Sequence, residues 1–534
     1  MSHVWSTEPE RDSGRPNGAA ARPAVRKQRR LPVLAGLLAG VAALLLYGLT
    51  GARGVEWQDS GIHQYRILTG QLEHPLGLAL SHPLHYWLGR MMLSVPIGAP
   101  LWRLNMLSAI GGAVGVGVLT GLVTRLTRSP VAGLLAGAAV GSAHSYWQMS
   151  ALTETYTLAA ALMTIEWALL LRYCRRGHPG WLVAVLGING LHVADHLLGL
   201  MPLATYAALL LTRTLRGRVR SFWLPTAASA WLAGAAPYWL LVLSYYQRTG
   251  DLGATLHSAL FGGGAGVPGW RGDVLNLRLT WGQLKLAVMS FGYCFPCATS
   301  VIALLGIWRR TGRTTKAWRR VLIAQTVLVF AFVARYPIPD LYTYFTPVCV
   351  LTALWFGLGA GWLLRRWPTP RWRRRVLILL SLNALAPLLV YSLFPWVAET
   401  RGWWRTRMRD LPFRNEYAAF LQPWRAGDES AAQMARTALQ QAGPGGWIVA
   451  DSTTAYAIAV TYLLHGGPPE VRVYWVRRCL TEPVAELTDA ELAAHLTAGY
   501  AVLAVPAEHI RRQFAAPLNI EEGQPFWRVR LAPR

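Results

Sequence analysis

Acidic residues are scarce in this chain: 26 Asp and Glu stand against 52 Lys and Arg among 534 residues, a net charge of +26. A charge of that size can mark a nucleic-acid binder, but its distribution argues otherwise. It is almost wholly arginine. Between Arg125 and Arg375 most of it sits in five short segments: Arg125/Arg128, Arg172/Arg175/Arg176, Arg213–Arg220, Arg309–Arg320 and Arg365–Arg375. None of the five holds an acid, and each lies between apolar runs, as short cytoplasmic loops do under the positive-inside rule. Cysteine is rare too. Cys174, Cys294, Cys297, Cys349 and Cys479 give no disulfide framework, and the Cys294-x-x-Cys297 pair lies inside an apolar run with no second pair, which fits packing better than zinc or redox chemistry. Residues 398–534 lack a G-x-G-x-x-G and a P-loop, so no nucleotide site is indicated there, and the chain has no H-E-x-x-H or D-x-D to indicate a metal.

What the chain has in quantity is apolar sequence. It is 53% hydrophobic, and runs of about 20 residues, enough to cross a bilayer, recur through residue 396. The expected fold is mainly α, a polytopic membrane protein with about eleven spans near 31–51, 104–124, 130–147, 156–173, two short passes within 181–212, 221–245, 284–308, 319–335, 341–364 and 376–396. Residues 1–30, rich in Pro, Gly, Ala and Arg, are expected to form a disordered cytoplasmic tail. The membrane domain then covers 31–397, with external loops at 52–103 and 246–283. Residues 398–534 form an extracytoplasmic α/β domain, with strands expected at 445–451, 471–476 and 501–506 and helices near 453–464, 488–497 and 507–514. In this topology the N-terminus is cytoplasmic, the protein sits in the inner (plasma) membrane, and Asp59, Glu154, Asp195, Asp251, Asp273 and Asp340 all fall outside. Glu166 is an exception, inside the fourth span, where a helix–helix hydrogen bond is the simple account.

The stretch Val55–Arg90 stands out. It carries Asp59, His63, His74, His82 and His85 beside the first span, and ionisable groups there are expensive unless used. Asp59-Ser60-Gly61, followed by Ser81-His82-Pro83-Leu84-His85-Tyr86, resembles the DUF2723 group of GT-C membrane glycosyltransferases, which includes protein O-mannosyltransferases. Trp147 with Glu154-x-Tyr156, the Asn189-Gly190-Leu191-His192 turn, and Pro339-Asp340 with Tyr344 and Pro347 are similar as well, and Leu411-Pro412-Phe413-Arg414 fits the same group. The resemblance covers roughly 31–400. It implies a GT-C fold, an acid in the first external loop that activates the acceptor, and a polyprenyl-phosphate sugar as donor. The chain departs from the group's Asp-Ser-Gly-Glu by having Ile62 where the Glu falls.

On this basis the expected function is transfer of a mannose-like sugar from a polyprenyl-phosphate donor to a protein, lipid or glycan acceptor, with no cofactor and no bound metal. Such transfer needs one base for the acceptor proton and groups that stabilise the departing phosphate. Asp59 is the expected base, although Asp-Ser is also ordinary helix-cap chemistry. Glu154 and Asp195 are the companion acids. His82, His85, Trp147, Tyr156, Asn189, His192, Asp340 and Tyr344 are the expected substrate contacts. Arg271, Arg335, Arg66 and Lys285 are the candidates for the phosphate, and Arg335 leads because it is a cation at the external end of a span. The alternatives are a transporter or flippase of a lipid-linked or small polar solute, drawn from the broken pair at 181–212, and a non-catalytic scaffold presenting the 398–534 domain.

Overall fold

The computed structural model describes the chain apart from residues 1–17, 264–268, 310–313, 339, 368, 405–410, 476, 506–513, 515–517, 524 and 532–534, and the side chains of 18–29. The expected helix near 507–514, Pro339 and most of the 1–30 tail therefore lie outside the described residues. The first helix begins at Gly18, ahead of the position expected from hydropathy. Ala19–Ala21 and the Arg/Lys run that follows are good helix formers and extend the span backwards.

Seven described helices are long and apolar enough to cross a bilayer: Arg30–Thr50, Pro100–Thr127, Tyr156–Arg176, Leu197–Leu215, Lys316–Arg335, Leu341–Arg366 and Pro370–Thr400. Two bent pairs, Trp223–Gly234 with Ala236–Thr249 and Trp281–Cys294 with Thr299–Trp308, bring the number to nine. The other two expected spans correspond to Pro130–Gly141 and Gly180–Asp195, of 12 and 16 residues. At about 1.5 Å per residue they reach roughly 18 and 24 Å, short of a hydrocarbon core of about 30 Å. The chain is a multi-pass membrane protein, and among the described residues its crossings number seven to nine by length. Phe345–Arg366 runs through the middle of the bundle and is buried along nearly its whole length. Pro370–Thr400 and the first span turn rows of leucine outward, the expected lipid-facing pattern.

The pair at 181–212 is broken as expected. Gly180–Asp195 ends at His196, whose backbone is extended and whose ring nitrogen accepts the Leu198 N–H at 3.1 Å, before Leu200–Leu215 begins. Gly190 is needed for close approach, because a Cβ there would lie 2.2 Å from the Trp231 carbonyl of the neighbouring helix.

Beyond the bundle lies a six-stranded sheet, β1 (Trp447–Ala450), β2 (Arg472–Trp475), β3 (Arg478–Cys479), β4 (Val502–Val505), β5 (Leu518–Glu521) and β6 (Trp527–Leu531). The strand order is β3-β2-β1-β4-β6-β5. β1 is parallel to β2 and β4, and the three remaining pairings are antiparallel. The helices Ser430–Ala442 and Ala455–His465 bury one face of this sheet together with the first external loop. Met434, Ile448, Ile458 and Val473 share one apolar core with Ile62, Tyr65, Tyr86 and Leu104. The Tyr65 hydroxyl donates to the Leu480 carbonyl at 2.8 Å. The sheet domain is thus built onto the polar loop rather than tethered beyond it.

Candidate active site

The polar loop becomes the helix Gln58–Thr69, which stops at Gly70 in the left-handed conformation. Its first residue, Gln58, has φ +53°, a conformation that costs a non-glycine residue of order 1–3 kcal/mol. The Gln58 N–H donates to the Thr453 carbonyl at 3.2 Å, so the sheet domain helps to hold the turn that aims Asp59. Gly61 serves the same turn. A Cβ on it would lie 2.5 Å from the Glu56 carbonyl and 3.6 Å from the Ala457 nitrogen. The Asp-Ser-Gly motif is therefore a tight corner that turns Asp59 out while the chain folds back beneath it.

Asp59 opens into a recess of about 690 Å³, part of it open to solvent, whose lining includes Glu56, Ser60, Glu154, Asp340 and Tyr342. Three expected site acids, Asp59, Glu154 and Asp340, thus converge. Asp59 keeps contact with solvent inside the recess, yet the surrounding protein first and the Asp340 carboxylate second raise its pKa to about 7. Asp340 is raised by burial as well. Glu154 is 5% exposed and is pushed well above the usual carboxylate range by burial and then by Asp59. Glu154 is held firmly. Its Oε1 accepts the Ser60 hydroxyl at 2.6 Å, and its backbone N–H and C=O both meet the Ser108 hydroxyl, at 2.9 and 2.8 Å. Its Oε2 lies 3.8 Å from His63 Nε2.

The outer wall comes from the stretch after the last span, which sequence reasoning did not assign to the site beyond a likeness at Leu411–Arg414. Arg414, Ala419, Arg425 and Asp428 line the recess. This stretch is fastened across the opening: the Arg425 and Ala426 N–H groups donate to the Thr50 carbonyl at 2.7 and 2.9 Å, the Trp57 indole donates to Ser430 Oγ at 2.9 Å, and the Gln148 amide donates to the Ala419 carbonyl at 3.1 Å. Arg425 spends its guanidinium on the carbonyls of Ala418, Ala419, Gln422 and Trp424.

Behind Glu154 the imidazoles form a dry layer. His63 lies 5.4 Å from His82 and 6.0 Å from His85 between ring centroids, and His82 lies 5.1 Å from His196. Burial lowers His63, and it lowers His82 to about 4 and His85 to about 3, so these rings are neutral. His82 Nδ1 is 2.7 Å from the Asp195 carbonyl, which can only accept, so Nδ1 carries the proton. His85 Nδ1 is 3.8 Å from Asp195 Oδ1. Asp195 itself is fully buried, with His63 and His85 between it and Glu154. It does not line the recess where a companion acid was expected, and lies against His82 and His85 instead. Parity along the chain put it on the outer side, but it closes a helix end against the histidine layer. No three His, Cys, Asp or Glu side chains among the described residues gather as a metal-ligand set.

Several expected contacts have other work. Trp147 is buried, donates to Thr50 Oγ1 at 2.9 Å and packs on Trp424 at 5.6 Å, so it supports the wall without facing the recess. Tyr156 receives the Thr343 hydroxyl at 3.2 Å and joins His196 and Tyr344 in a ring cluster. Asn189 and His192 lie against Glu166. The Asn189 amide donates to Glu166 Oε1 at 3.2 Å, His192 Nδ1 is 3.0 Å from the same oxygen, and the Tyr206 hydroxyl donates to Oε2 at 2.9 Å. These groups are closed on one another within the bundle, as a buried carboxylate requires, and they do not reach the recess. Arg335 donates to the carbonyls of Val274 and Asn276, the latter closely and the former at 2.8 Å. It clamps the loop after Arg271, while Arg271 itself is exposed. Arg66 differs from both. It is 1% exposed, lies 5.2 Å over the Tyr86 ring, and its Nε and Nη2 have no hydrogen-bond partner among the described residues.

A bundle of this form, with a carboxyl-lined recess at its first external loop and a small sheet domain built onto that loop, is a membrane protein of GT-C fold. Residues 59–218 match the family described as Protein O-mannosyl-transferase TMEM260 N-terminal domain, the group expected from the Asp-Ser-Gly, His-Pro and Asn-Gly-Leu-His elements. Protein O-mannosyl-transferase TMEM260 of Mus musculus is 31% identical over 142 residues, 26% of this chain and 19% of the mouse protein. The matched part is thus about a fifth of that relative. Among solved structures, ArnT from Cupriavidus metallidurans bound to undecaprenyl phosphate aligns with TM-score 0.57 and 16% identity over 93% of this chain and 99% of its own. Its apo state aligns with TM-score 0.54 and 14% identity over 97% and 100%.

Proposed function

We propose that this chain is an integral-membrane glycosyltransferase that moves a mannose-like sugar from a polyprenyl-phosphate donor to an extracytoplasmic acceptor. The observation that carries the reading is Asp59: among Asp59, Glu154 and Asp195 it alone is open to solvent, and it sits in a recess whose neighbours hold its pKa near neutrality, where a general base works best. In the step, Asp59 takes the acceptor hydroxyl proton as that oxygen bonds to the anomeric carbon. The bond from that carbon to the phosphate oxygen breaks with inversion, and the lipid phosphate leaves with the electron pair. Glu154, fixed through Ser60 and Ser108, positions the turn that carries Asp59.

The leaving anion belongs away from the carboxyl groups. Arg66 follows Asp59 by seven residues on the same helix, which places the two on one face about 10 Å apart along the axis. A path from base through acceptor oxygen, anomeric carbon and phosphate to a donor is also on the order of 10 Å. A buried guanidinium with two idle nitrogens is costly until an anion meets it. Arg66 therefore takes the phosphate role first expected of Arg335. In this reading the N-terminus is cytoplasmic and the sheet domain lies outside the inner membrane. The transporter alternative draws on the break at His196, but Asn189 and His192 beside it are bonded to Glu166 rather than facing a path. The test is to supply membranes carrying this protein with radiolabelled polyprenyl-phosphate sugars: one should be consumed beyond the level of control membranes, and consumption of none would reject the reading.

A further inference from the structure

Glu56 is a recess residue that sequence reasoning passed over. It lies three residues before Asp59, in the extended run entering the helix, and is 4% exposed. One side of it is spoken for. Its Oε2 accepts the Thr153 N–H at 3.0 Å, and its own N–H donates to Gln64 Oε1 at 3.2 Å. Its Oε1, on a residue lining the recess, has no partner among the described residues. Leaving such an oxygen unpaired costs about 1–3 kcal/mol. Resting on the glycosyltransferase reading, we propose that Glu56 Oε1 binds a hydroxyl of the sugar being transferred, which makes Glu56 a specificity-determining residue of the recess.

The chemistry of the surroundings narrows the ligand. Asp59, Glu154 and Asp340 stand around the same space, while the arginines that line it are engaged, Arg425 by backbone carbonyls and Arg414 by Glu416, so a phosphate or carboxylate is disfavoured there. Burial raises Glu56 to about 8, against the pull of the Thr153 N–H first and of the Asn105 and Ser60 side chains after it. Near neutral pH its carboxyl therefore carries a proton and both donates and accepts, as a sugar hydroxyl requires. Position separates sugar from acceptor. Asp59 is exposed at the mouth and meets the incoming acceptor, whereas Glu56 is buried and meets what the acceptor attacks.

The test uses the full-length protein in detergent with two probes, undecaprenyl-phosphate mannose and undecaprenyl phosphate. The readout is the ratio of their Kd values, which isolates the sugar. Glu56→Ala should cut the mannose preference about tenfold, the equivalent of one buried hydrogen bond, with bare-lipid binding unchanged. Glu56→Gln, which keeps a donor in place, should retain most of it. On the wild type, one monodeoxy-mannose donor should bind about tenfold more weakly than the parent and lose that penalty in Glu56→Ala. An unchanged ratio in Glu56→Ala, or equal loss of both probes, overturns the proposal while leaving the donor reading intact. If all monodeoxy donors bind the wild type as the parent does, the proposal fails by a route that needs no variant. A wild type that binds neither lipid defeats the donor reading itself and this proposal with it.

Discussion

Gly61→Ala tests the corner that aims Asp59. The new methyl carbon would lie 2.5 Å from the Glu56 carbonyl oxygen, a backbone atom that cannot rotate away. Restoring ordinary contact requires a shift of roughly 1 Å between Glu56 and the first turn of the helix. Forced overpacking of this kind costs about 1–3 kcal/mol, and a reacting group misplaced by about 1 Å can lose on the order of 10²-fold in rate. The side chains on either side of this corner are Asp59 and Glu56, so the displacement falls on the recess itself. Gly54→Ala is the control in the same loop, because its Cβ would meet nothing within 4 Å; it should change stability by less than about 0.5 kcal/mol. Thermal unfolding in detergent and turnover of the lipid-linked sugar should be measured for both. Gly61→Ala should be destabilised and slowed by about two orders of magnitude, with Gly54→Ala like wild type. A Gly61→Ala protein matching wild type in both measurements refutes the reasoning.

Asp340 raises Asp59 by charge repulsion. Turnover should therefore rise with pH through about 7 as Asp59 loses its proton, and Asp340→Asn should move the midpoint to lower pH; a midpoint that stays put or moves upward contradicts the pairing. Arg335 holds two loop carbonyls with its fork, and lysine cannot reproduce both bonds. Arg335→Lys and Arg335→Ala should thus increase proteolysis of the 271–283 loop to similar extents while leaving undecaprenyl-phosphate binding within about twofold, and a selective loss of binding in both would return Arg335 to the phosphate. For topology, Arg271→Cys should react with an impermeant thiol reagent from outside intact cells and Arg216→Cys should not. Labelling at 216 would invert the arrangement read from the arginine loops.

Much of this architecture was legible in sequence because it obeys one-dimensional rules. Apolar runs located the long helices, and β1, β2 and β4 were visible as continuous buried runs such as Ile448–Ala450. β3 is two residues long, and β6 alternates exposed arginines with Val529, so neither rises above its surroundings. The span count was harder. Pro130–Gly141 and Gly180–Asp195 are apolar but only 12 and 16 residues long, and hydropathy does not show where a helix stops. In the site, motif and membrane side put Asp59, Glu154 and Asp340 on one side of the membrane, and it is packing that brings them to one recess. Motif and side could not separate Asp195, because only tertiary packing inserts His63 and His85 in front of it. Glu56 went unnoticed as one acid among polar neighbours. Its place in the recess depends on Thr153, nearly a hundred residues away, and no local pattern records that contact.

The central claim is that Asp59 takes the acceptor proton. The most direct measurement compares Asp59→Asn with wild type in single-turnover transfer from a radiolabelled polyprenyl-phosphate sugar, alongside binding of the same donor. Asparagine preserves the shape and removes the base, so transfer should fall by about 10²–10⁴-fold while donor binding stays within a few-fold. Wild-type transfer by Asp59→Asn, with the loss appearing instead in Glu154→Gln, would contradict the account and move the base to the buried acid.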